Sequence, residues 1–280
     1  MQAPAVSVVV PTRGRVSYLE VALDSLRSQQ DAPPFELLVV DDGSGDGTPE
    51  LLARKDIPSL RLDPARGLNA ARNAGVEATS GELVAFVDDD VHAPRGWLGA
   101  FVEGAERHPE AEALGGPIRA RFEGPAPRGC GRDDPPLTTL DLGPEDRPCE
   151  LVWGANMLVR RSAFERLGSF DEEIAGGGDE EEWLERLRAA GGSIHYVAAA
   201  GLDHRRAGED ARLRALVRGA YGRGRALRAF DARRGRAPGL GRELRVLAGC
   251  GWHTLRRGCP QGIVMGAHSL GRTVEAVRRR

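Results

Sequence analysis

Three consecutive carboxylates end an apolar run in this sequence. Residues 83–87 read LVAFV, which is typical of a buried strand in a parallel sheet, and Asp88, Asp89 and Asp90 follow at once. Carboxylates this close repel one another unless solvent or a cation relieves the repulsion. The triplet therefore predicts either a polar strand end that enters a loop or a site for a bound cation.

A second acidic stretch, GGGDEEEW, lies at residues 176–183. It leads into a predicted helix over 181–190, which begins with acidic residues and ends near Arg188. This order of charges matches the helix dipole, so the acids are explained in part by helix formation alone. Chemistry is the alternative, because closely spaced carboxylates can also act as acids, bases or ligands.

The elements that position these acids alternate between strand and helix. Predicted strands cover 6–10, 35–40, 60–62, 83–87, 151–159 and 194–198, and predicted helices cover 18–29, 69–79, 97–107, 162–167 and 181–190, with a further helix from Thr48. This alternation predicts right-handed crossovers and a parallel sheet. Ligands of such sheets bind beyond the carboxyl ends of the strands. The loops PTRGR, DDGSGDGT and DDDVHAP all fall at that edge.

Charge divides the chain into two parts. Residues 205–280 contain 19 arginines and 5 acidic residues, whereas residues 1–204 contain 20 basic and 36 acidic residues. We therefore expect one domain over 1–204 and a basic helical extension over 205–280. The acidic part suits a cation site, and the basic part suits an anionic partner such as a membrane surface, a phosphorylated acceptor or the acidic part itself. We expect no nucleic-acid partner.

Composition excludes several other classes. No apolar run reaches 18 residues, so no membrane-spanning helix is expected. The chain enters its first strand without a basic segment or cleavage site, so we expect no signal peptide and a cytoplasmic location. The four cysteines form no CxxC pair and no zinc spacing, which favours reduced thiols, although a Cys130–Cys149 disulfide stays open. Residues 119–150 are rich in proline, glycine and charge and predict a long loop.

Six motifs in one order carry a resemblance to a known family. They are VVVPTRGR, VVDDGSGDGT, RGLNAARNAG, LVAFVDDDV, GANMLVRRSAFERLGSFDE and GGGDEEEWLERLRAAGG. Over roughly residues 5–204 the chain resembles the family 2 glycosyltransferases of the GT-A fold. The resemblance implies a mostly parallel, Rossmann-like sheet flanked by helices. It also implies an inverting enzyme that moves a sugar from a nucleotide-diphosphate sugar, with UDP as the first expectation, to an acceptor hydroxyl.

The resemblance assigns the acid triplet to the family's D-x-D element. Asp88 and Asp90 are its two ends, with Asp90 as the expected metal ligand, Asp88 as a metal or ribose partner, and Asp89 in the middle. A divalent cation, Mn²⁺ or Mg²⁺, would offset the charge of the leaving diphosphate. His204, after the last strand, is a further expected ligand through a neutral imidazole nitrogen, although a single histidine is often structural.

The same resemblance predicts where the nucleotide sugar binds. An acidic residue after strand two would contact uracil or ribose, and the alternative is a loop cap, since Gly43, Ser44 and Gly45 are common turn residues. An arginine of RGLNAARN would reach the diphosphate, hold the aspartates or stay solvated. The expected nucleotide-sugar-binding residues are Pro11, Thr12, Arg13, Asp41, Asp42, Arg66, Arg72, Asn73, Asp88 and Asp89.

The acid pair before the helix supplies the expected general base. Alignment on the family's pattern makes Glu180 the base that takes the acceptor's proton, with Asp179 in support. This sequence has Asp then Glu, a departure that leaves Glu181 and Glu182 as alternatives. Trp153 and Asn156 fall where the family lines its acceptor or sugar pocket, although Trp153 is equally suited to a core.

Two other functions compete with this one. A nucleotidyltransferase that makes sugar nucleotides needs a glycine-rich phosphate loop, of which PTRGR is a poor version, and has no role for the acid pair. A non-catalytic module that binds sugar nucleotides is the other alternative. For the basic extension, either its arginines face anionic lipid or its helices pack and bury apolar residues. The arginines are Arg218, Arg223, Arg225 and Arg228, and the apolar residues are Leu213, Leu216, Val217, Leu227 and Phe230.

Overall fold

The computed structural model describes residues 4–124, 138–174 and 178–279. The strands are β1 Val6–Thr12, β2 Phe35–Asp41, β3 Ser59–Arg61, β4 Leu83–Val87, β5 Val91–His92, β6 Ala111–Gly115, β7 Ile118–Glu123, β8 Arg147–Pro148, β9 Asn156–Arg160, β10 Ser193–Tyr196 and β11 Leu202–Ala207. The helices are α1 Val16–Arg27, α2 Thr48–Arg54, α3 Leu68–Glu77, α4 Trp97–Arg107, α5 Arg161–Leu167, α6 Asp179–Ala189, α7 Leu213–Arg233, α8 Leu240–Arg257 and α9 Pro260–Arg278.

The chain divides into two compact units. The sheet unit comprises Met1–Arg119, Leu140–Glu173 and Asp179–His204. The helical unit comprises Ala120–Thr139, Ile174–Gly178 and Arg205–Arg280. Within the predicted loop over 119–150, strands β7 and β8 are the regular elements that the structure describes, and Cys130 lies outside the described residues.

An eight-stranded sheet has the order β3-β2-β1-β4-β9-β6-β10-β8. Strands β3, β2, β1 and β4 are mutually parallel, and β10 is parallel to β6. This confirms the predicted mostly parallel sheet. Strand β9 is antiparallel to both β4 and β6, and it starts at Asn156 rather than at Leu151 because residues 151–155 form an extended segment and a turn. A smaller sheet has the order β5-β11-β7.

Both faces of the central strands are buried, which explains their unbroken apolar sequences. Val8 and Val10 point to one side, where α1 and α4 cover the sheet, whereas Val9 points to the other side, where α3, α5 and α6 lie. Phe86 packs on that second side with its ring edge-to-face against Phe170 at a centroid distance of 5.5 Å. The strand that carries the acid triplet is therefore held rigidly by its core.

The helical unit is built around three long helices. Helix α9 packs against both α7 and α8. Helices α7 and α9 approach closely at two glycines, because a Cβ on Gly224 or Gly271 would overlap backbone of the other helix. Of the apolar residues expected to be buried, Leu216 and Phe230 are buried, while Leu213, Val217 and Leu227 are half-buried. In the part of the chain that the structure describes, no helix is long and apolar enough to cross a bilayer.

Two loops at the carboxyl edge of the sheet are joined by hydrogen bonds. The backbone N–H of Gly14 donates to Ser44 Oγ at 2.8 Å, and that of Val16 donates to Asp46 Oδ2 at 3.0 Å. The second bond satisfies a free N–H in the first turn of α1. The loop after β2 thus fixes the start of α1, and with it the position of Arg15.

At the opposite edge of the sheet, Glu36 joins the start of β2 to the turn before β4. Its Oε1 accepts from the backbone N–H of Ser80 at 2.6 Å and from the hydroxyl of Ser7 at 2.7 Å. Burial alone would raise the pKa of Glu36, but the donors of Ser80, Ser7 and Gly81 outweigh it and hold this pKa below its ordinary value. The ionised form is therefore the one that stabilises the fold.

Replacing Glu36 by Gln is expected to lower stability at neutral pH and to flatten its acid dependence. A folded pKa below the unfolded value contributes stability above the unfolded pKa, and this stability is lost as pH falls through the folded pKa. We expect a loss of about 1 kcal/mol at pH 7, the scale of one ordinary hydrogen bond, because Glu36 is only half-buried, and convergence with the wild type near pH 3. Urea unfolding between pH 3 and 7 measures both quantities. Glu77→Gln, on the exposed side of α3, is the matched control. An equal effect of the two substitutions at pH 7 would contradict the assignment.

Candidate functional site

The acid triplet meets a histidine at the carboxyl end of β4. Strand β11 pairs with β5, and this pairing brings His204 Nε2 to 3.1 Å from Asp90 Oδ1. Asp88, Asp90 and His204 each offer one possible ligand atom, and these three atoms lie within 4.8 Å of one another. Asp90 and His204 are buried, and Asp88 is partly open to solvent. The structure thus brings the three expected metal ligands together.

This group has the chemistry of a divalent cation site. Burial raises the pKa of Asp88 against the opposing charge of Arg72, and the nearby charge of Asp90 raises it further. Two carboxylate oxygens and one imidazole nitrogen are donors that Mn²⁺ accepts, and carboxylates alone suit Mg²⁺. The residues present therefore fit the expected cation.

Arg15 is a site residue that the sequence did not single out. Its guanidinium pairs with Asp89 Oδ1 at 3.0 Å and with Asp90 Oδ2 at 2.7 Å. The hydroxyl of Thr12 donates to the second oxygen of Asp89 at 2.7 Å. Asp89 is therefore held by β1 and the loop that follows it, and burial, opposed by Arg15, raises its pKa to about 7. The expected Arg13, two residues earlier, is exposed and lies 3.8 Å from Asp42.

Arg72 lies at the centre of the site. It is 1% exposed, and its guanidinium nitrogens lie 3.7 Å from Asp88 Oδ1 and 3.9 Å from Glu180 Oε2. Gly154 makes room for it, because a Cβ at that position would overlap Arg72 Nη2. The sequence left three roles open for Arg72, and its position beside Asp88 supports the role of holding an aspartate in place.

Glu180 lies in the first turn of α6 and shares this site. It is 9% exposed, and its Oε1 accepts from the backbone N–H of Gly154 at 2.9 Å. The turn before β9 thus orients the carboxylate, and Arg72 lies 3.9 Å from its other oxygen. Asp179 is the first residue of α6, and its side chain lies outside those that the structure describes.

The two acids after β2 bond to protein groups. Asp41 accepts from the backbone N–H of Ser44 at 2.8 Å and pairs with Arg61. Asp42 accepts from the backbone N–H groups of Arg66 at 2.6 Å and Gly67 at 3.0 Å, next to the start of α3. These bonds fit the loop-cap interpretation, and contact with uracil or ribose stays a prediction. Arg61, in the short β3, is a partner that sequence reasoning missed.

Two residues of the RGLNAARN motif contact the segment after α5. Arg66 pairs with Glu172 at 2.8 Å. Asn73 donates to Phe170 O at 3.0 Å, and its Oδ1 accepts from the backbone N–H of Phe170 at 3.0 Å. Both ends of the Asn73 amide thus bond to this segment, and the expected contact of Asn73 with nucleotide stays a prediction.

Asn156 is held by three hydrogen bonds inside the sheet unit. Its side chain is fully buried, its Oδ1 accepts from Trp97 Nε1 at 2.8 Å, and its Nδ2 donates to Pro117 O and Ala200 O at 3.1 and 2.8 Å. These contacts give the amide a structural role, and its predicted pocket role stays a prediction. Trp153 is half-buried against the core. Pro11 and Thr12 are buried at the end of β1.

A second group of possible ligands lies near the amino end of β6. His108, Glu110 and His195 have ligand atoms within 4.8 Å of one another. However, the two imidazole rings are stacked, with centroids 4.6 Å apart and planes 22° apart. The nitrogen lone pairs of stacked rings run side by side and do not converge on one ion. This arrangement is a packed histidine pair.

Comparison with known proteins agrees with the geometry. The profile of Glycosyl transferase family 2 matches residues 7–168. An N-acetylglucosaminyl-diphospho-decaprenol L-rhamnosyltransferase of Mycobacterium tuberculosis is 33% identical over 71% of this chain and 76% of its own length. The chain spans 64% of the length of one archaeal curated relative and 43% of the length of a mycobacterial one.

Solved structures share the fold. The mannosyltransferase PcManGT from Pyrobaculum calidifontis, in complex with GDP-Man and Mn²⁺, is 17% identical with a TM-score of 0.66, covering 100% of this chain and 89% of its own. GalNAc-T7, with UDP, GalNAc and Mn²⁺, is 18% identical with a TM-score of 0.60, covering 78% of this chain and 48% of its own. The chain has the GT-A fold and belongs to glycosyl transferase family 2.

Proposed function

We propose that the chain is an inverting glycosyltransferase that moves a sugar from a nucleotide-diphosphate sugar to an acceptor hydroxyl. Residues 1–204 form its catalytic domain and residues 205–280 a basic helical extension. The observation that carries the proposal is the position of Arg72, within 4 Å of Asp88 on one side and of Glu180 on the other. The acids suited to a cation and the acid suited to proton transfer thus share one site.

The leaving group is handled at the acid triplet. Asp88, Asp90 and His204 would hold the divalent cation, which when bound supplies positive charge against the departing diphosphate. Arg15 keeps Asp89 and one oxygen of Asp90 in place, so the orientation of Asp90 does not depend on the cation alone. The protein contributes a fixed set of carboxylates that needs no rearrangement when the donor binds.

Proton transfer falls to Glu180. The acceptor oxygen attacks the anomeric carbon from the side opposite the nucleotide, and its proton passes to the Glu180 carboxylate. A new carbon–oxygen bond forms as the bond to the diphosphate breaks, and the configuration inverts. The hydrogen bond from Gly154 fixes the Glu180 carboxylate, so the group that takes the proton is oriented before the acceptor substrate binds.

The alternatives are weaker on this geometry. A nucleotidyltransferase has no use for a buried carboxylate that is oriented by Gly154 and faces Arg72. A binding module without catalysis has no use for a proton acceptor in the site, and it would show no turnover for Glu180→Gln to lower. We place the activity in the cytoplasm, with peripheral contact at the inner face of a membrane through the helical extension, as the sequence predicts.

Replacing Glu180 by Gln should abolish proton transfer and leave donor binding intact. We expect turnover to fall at least ~100-fold, the usual scale for a general base, with an unchanged dissociation constant for the nucleotide. Initial rates and isothermal titration measure the two quantities. Glu182→Gln, on the same helix, is the matched control because Glu182 pairs with Arg186 at 2.8 Å. Near-normal turnover of Glu180→Gln, or a loss confined to Glu182→Gln, would show that the base is misassigned.

Transfer should require a divalent cation held at Asp90. We expect excess chelator to abolish transfer and Mn²⁺ or Mg²⁺ to restore it. A readout independent of activity is thermal unfolding with UDP present, where Mn²⁺ should raise the midpoint of the wild type and not of Asp90→Asn. Asp24→Asn, on the surface of α1, should keep the shift. Full activity in excess chelator, together with no Mn²⁺-dependent shift, would remove the metal from the mechanism.

Among nucleotide sugars, UDP-sugars should stabilise the chain most. UDP is the expectation from the acidic loop after β2, and GDP-sugars and dTDP-sugars are the competitors to test. In the presence of Mn²⁺, a donor at about 100 times its dissociation constant stabilises by roughly 2.7 kcal/mol, which raises the midpoint by several degrees. A thermal-shift series with the three donor classes measures the order. A larger shift with a GDP-sugar or dTDP-sugar would assign the donor to that nucleotide.

A further inference from the structure

Helix α8 carries exposed apolar side chains along one side. Leu244, Ala248, Trp252 and Leu255 follow one another at intervals of four, four and three residues, which places them in one stripe. Trp252 is 64% exposed and Leu255 is 83% exposed. Such large apolar side chains in a continuous stripe on a helix mark an interaction surface rather than scattered exposure.

Helix α9 carries a second stripe of the same kind. Ile263, Leu270, Val274 and Val277 are exposed and recur at intervals of seven, four and three residues, and no charged residue interrupts them along this side. The stripe extends over nearly the whole length of α9. Helices α7 and α8 pack against α9 but leave the side chains of this stripe exposed.

The two stripes lie on the same side of the helical layer. On α9, Gly262 and Gly266 face α8, Gly271 faces α7, and the apolar stripe falls between these two sides. On α8, Cys250 and Thr254 face α9. The stripe on α9 lies about a quarter turn from its contact with α8, and the stripe on α8 lies between about a quarter and a half turn from its contact with α9. Because the two helices run antiparallel, these rotations carry both stripes toward one side, with Trp252 at the outer edge of α8. We call the combined surface the α8/α9 apolar face, formed by Leu244, Ala248, Trp252, Leu255, Ile263, Leu270, Val274 and Val277.

The charge around this face is positive. Along residues 234–279, which the structure describes in full, the acidic residues are Glu243 and Glu275, and both are buried. Glu243 pairs with Arg272, and Glu275 pairs with Arg225 and Arg279. The exposed surface of α8 and α9 therefore carries no carboxylate. It carries the exposed arginines Arg242, Arg245, Arg256 and Arg257, of which Arg245 and Arg256 adjoin Trp252 around the helix.

This combination of charge and apolar surface selects the partner. A second copy of the chain would place the same arginine-edged surface against itself, with no carboxylate to pair the arginines. An anionic lipid surface instead supplies negative head groups to the arginines and an apolar boundary to the stripes. Tryptophan at the border between the two is the arrangement that a membrane interface favours.

We propose that the α8/α9 apolar face docks on the surface of an anionic membrane. The apolar side chains enter the boundary between head groups and acyl chains, while the flanking arginines contact the head groups, and no helix crosses the bilayer. The arginines singled out in the sequence lie on α7, where Arg225 pairs with Glu275. The lipid contact is thus assigned to α8 and α9, independently of the proposed catalytic function.

Vesicle co-sedimentation of the full chain tests this assignment. We expect binding to phosphatidylcholine vesicles that contain roughly one third phosphatidylglycerol, weaker binding at high salt, and little binding to phosphatidylcholine alone. The double variant Trp252→Ser/Leu255→Ser should bind the anionic vesicles at least about tenfold more weakly. The double variant Arg245→Gln/Arg256→Gln should bind the anionic vesicles about tenfold more weakly, and its binding should depend less on salt, because Arg242 and Arg257 remain.

The matched control lies on the same helix layer. Met265→Ser removes a side chain of α9 that is exposed on the opposite side and should bind as the wild type does. Because all the changed side chains are exposed, thermal midpoints should stay within about 2 °C of the wild type. Absent binding of the wild type, or equal losses in Met265→Ser and the double variant, would overturn the proposal. So would sedimentation velocity showing a wild-type dimer that the double variant dissociates, since the face would then join two copies.

Discussion

The buried guanidinium of Arg72 is the interaction on which the site depends. It is shielded from solvent and lies against carboxylates from two other segments, Asp88 after β4 and Glu180 on α6. A buried charge is costly unless it is paired, and removal of one partner leaves the other uncompensated. The two acids and the arginine therefore stabilise one another's positions. Position 154 requires glycine, because a Cβ there would overlap the Arg72 guanidinium. Charge balance explains how so many acids remain ordered at one strand end.

The surrounding loops hold the charged side chains of the site in place. Hydrogen bonds between the loops after β1 and β2 place Arg15, whose two nitrogens contact Asp89 and Asp90. Asn73 holds the segment that includes Phe170, whose ring lies 5.9 Å from the Arg72 guanidinium. Arg15 thus pairs with Asp89 and Asp90, and Arg72 lies against Asp88 and Glu180, so two arginines from other segments orient the acids of the site. Such support favours chemistry that needs fixed charges, as departure of a diphosphate does.

Much of this could be read from the sequence, and the limits have physical causes. Asp88 and Asp90 follow β4, and their place at the carboxyl edge of the sheet follows from element order. His204 lies within β11 and reaches Asp90 through the antiparallel pairing of β11 with β5, which element order alone does not predict. Arg15 could not be distinguished from Arg13, because only the hydrogen bonds between loops decide which one turns inward.

The contacts of two buried amides could not be read from the sequence. Asn73 and Asn156 have the residue type of pocket-lining side chains, but whether an amide faces solvent or satisfies backbone inside a core is decided by contacts between distant segments. The strand β9 was predicted, but its antiparallel direction was not, since the alternation of strands and helices predicts a parallel neighbour.

A double-mutant cycle between Arg72 and Glu180 tests the central claim most directly. The measured quantity is kcat/KM for transfer in Arg72→Met, Glu180→Gln and the double variant, each checked by circular dichroism for folding. If the two residues act as one unit, the double variant will transfer sugar at nearly the rate of Glu180→Gln alone. Losses that multiply would show that Arg72 and Glu180 act independently, and would contradict the account.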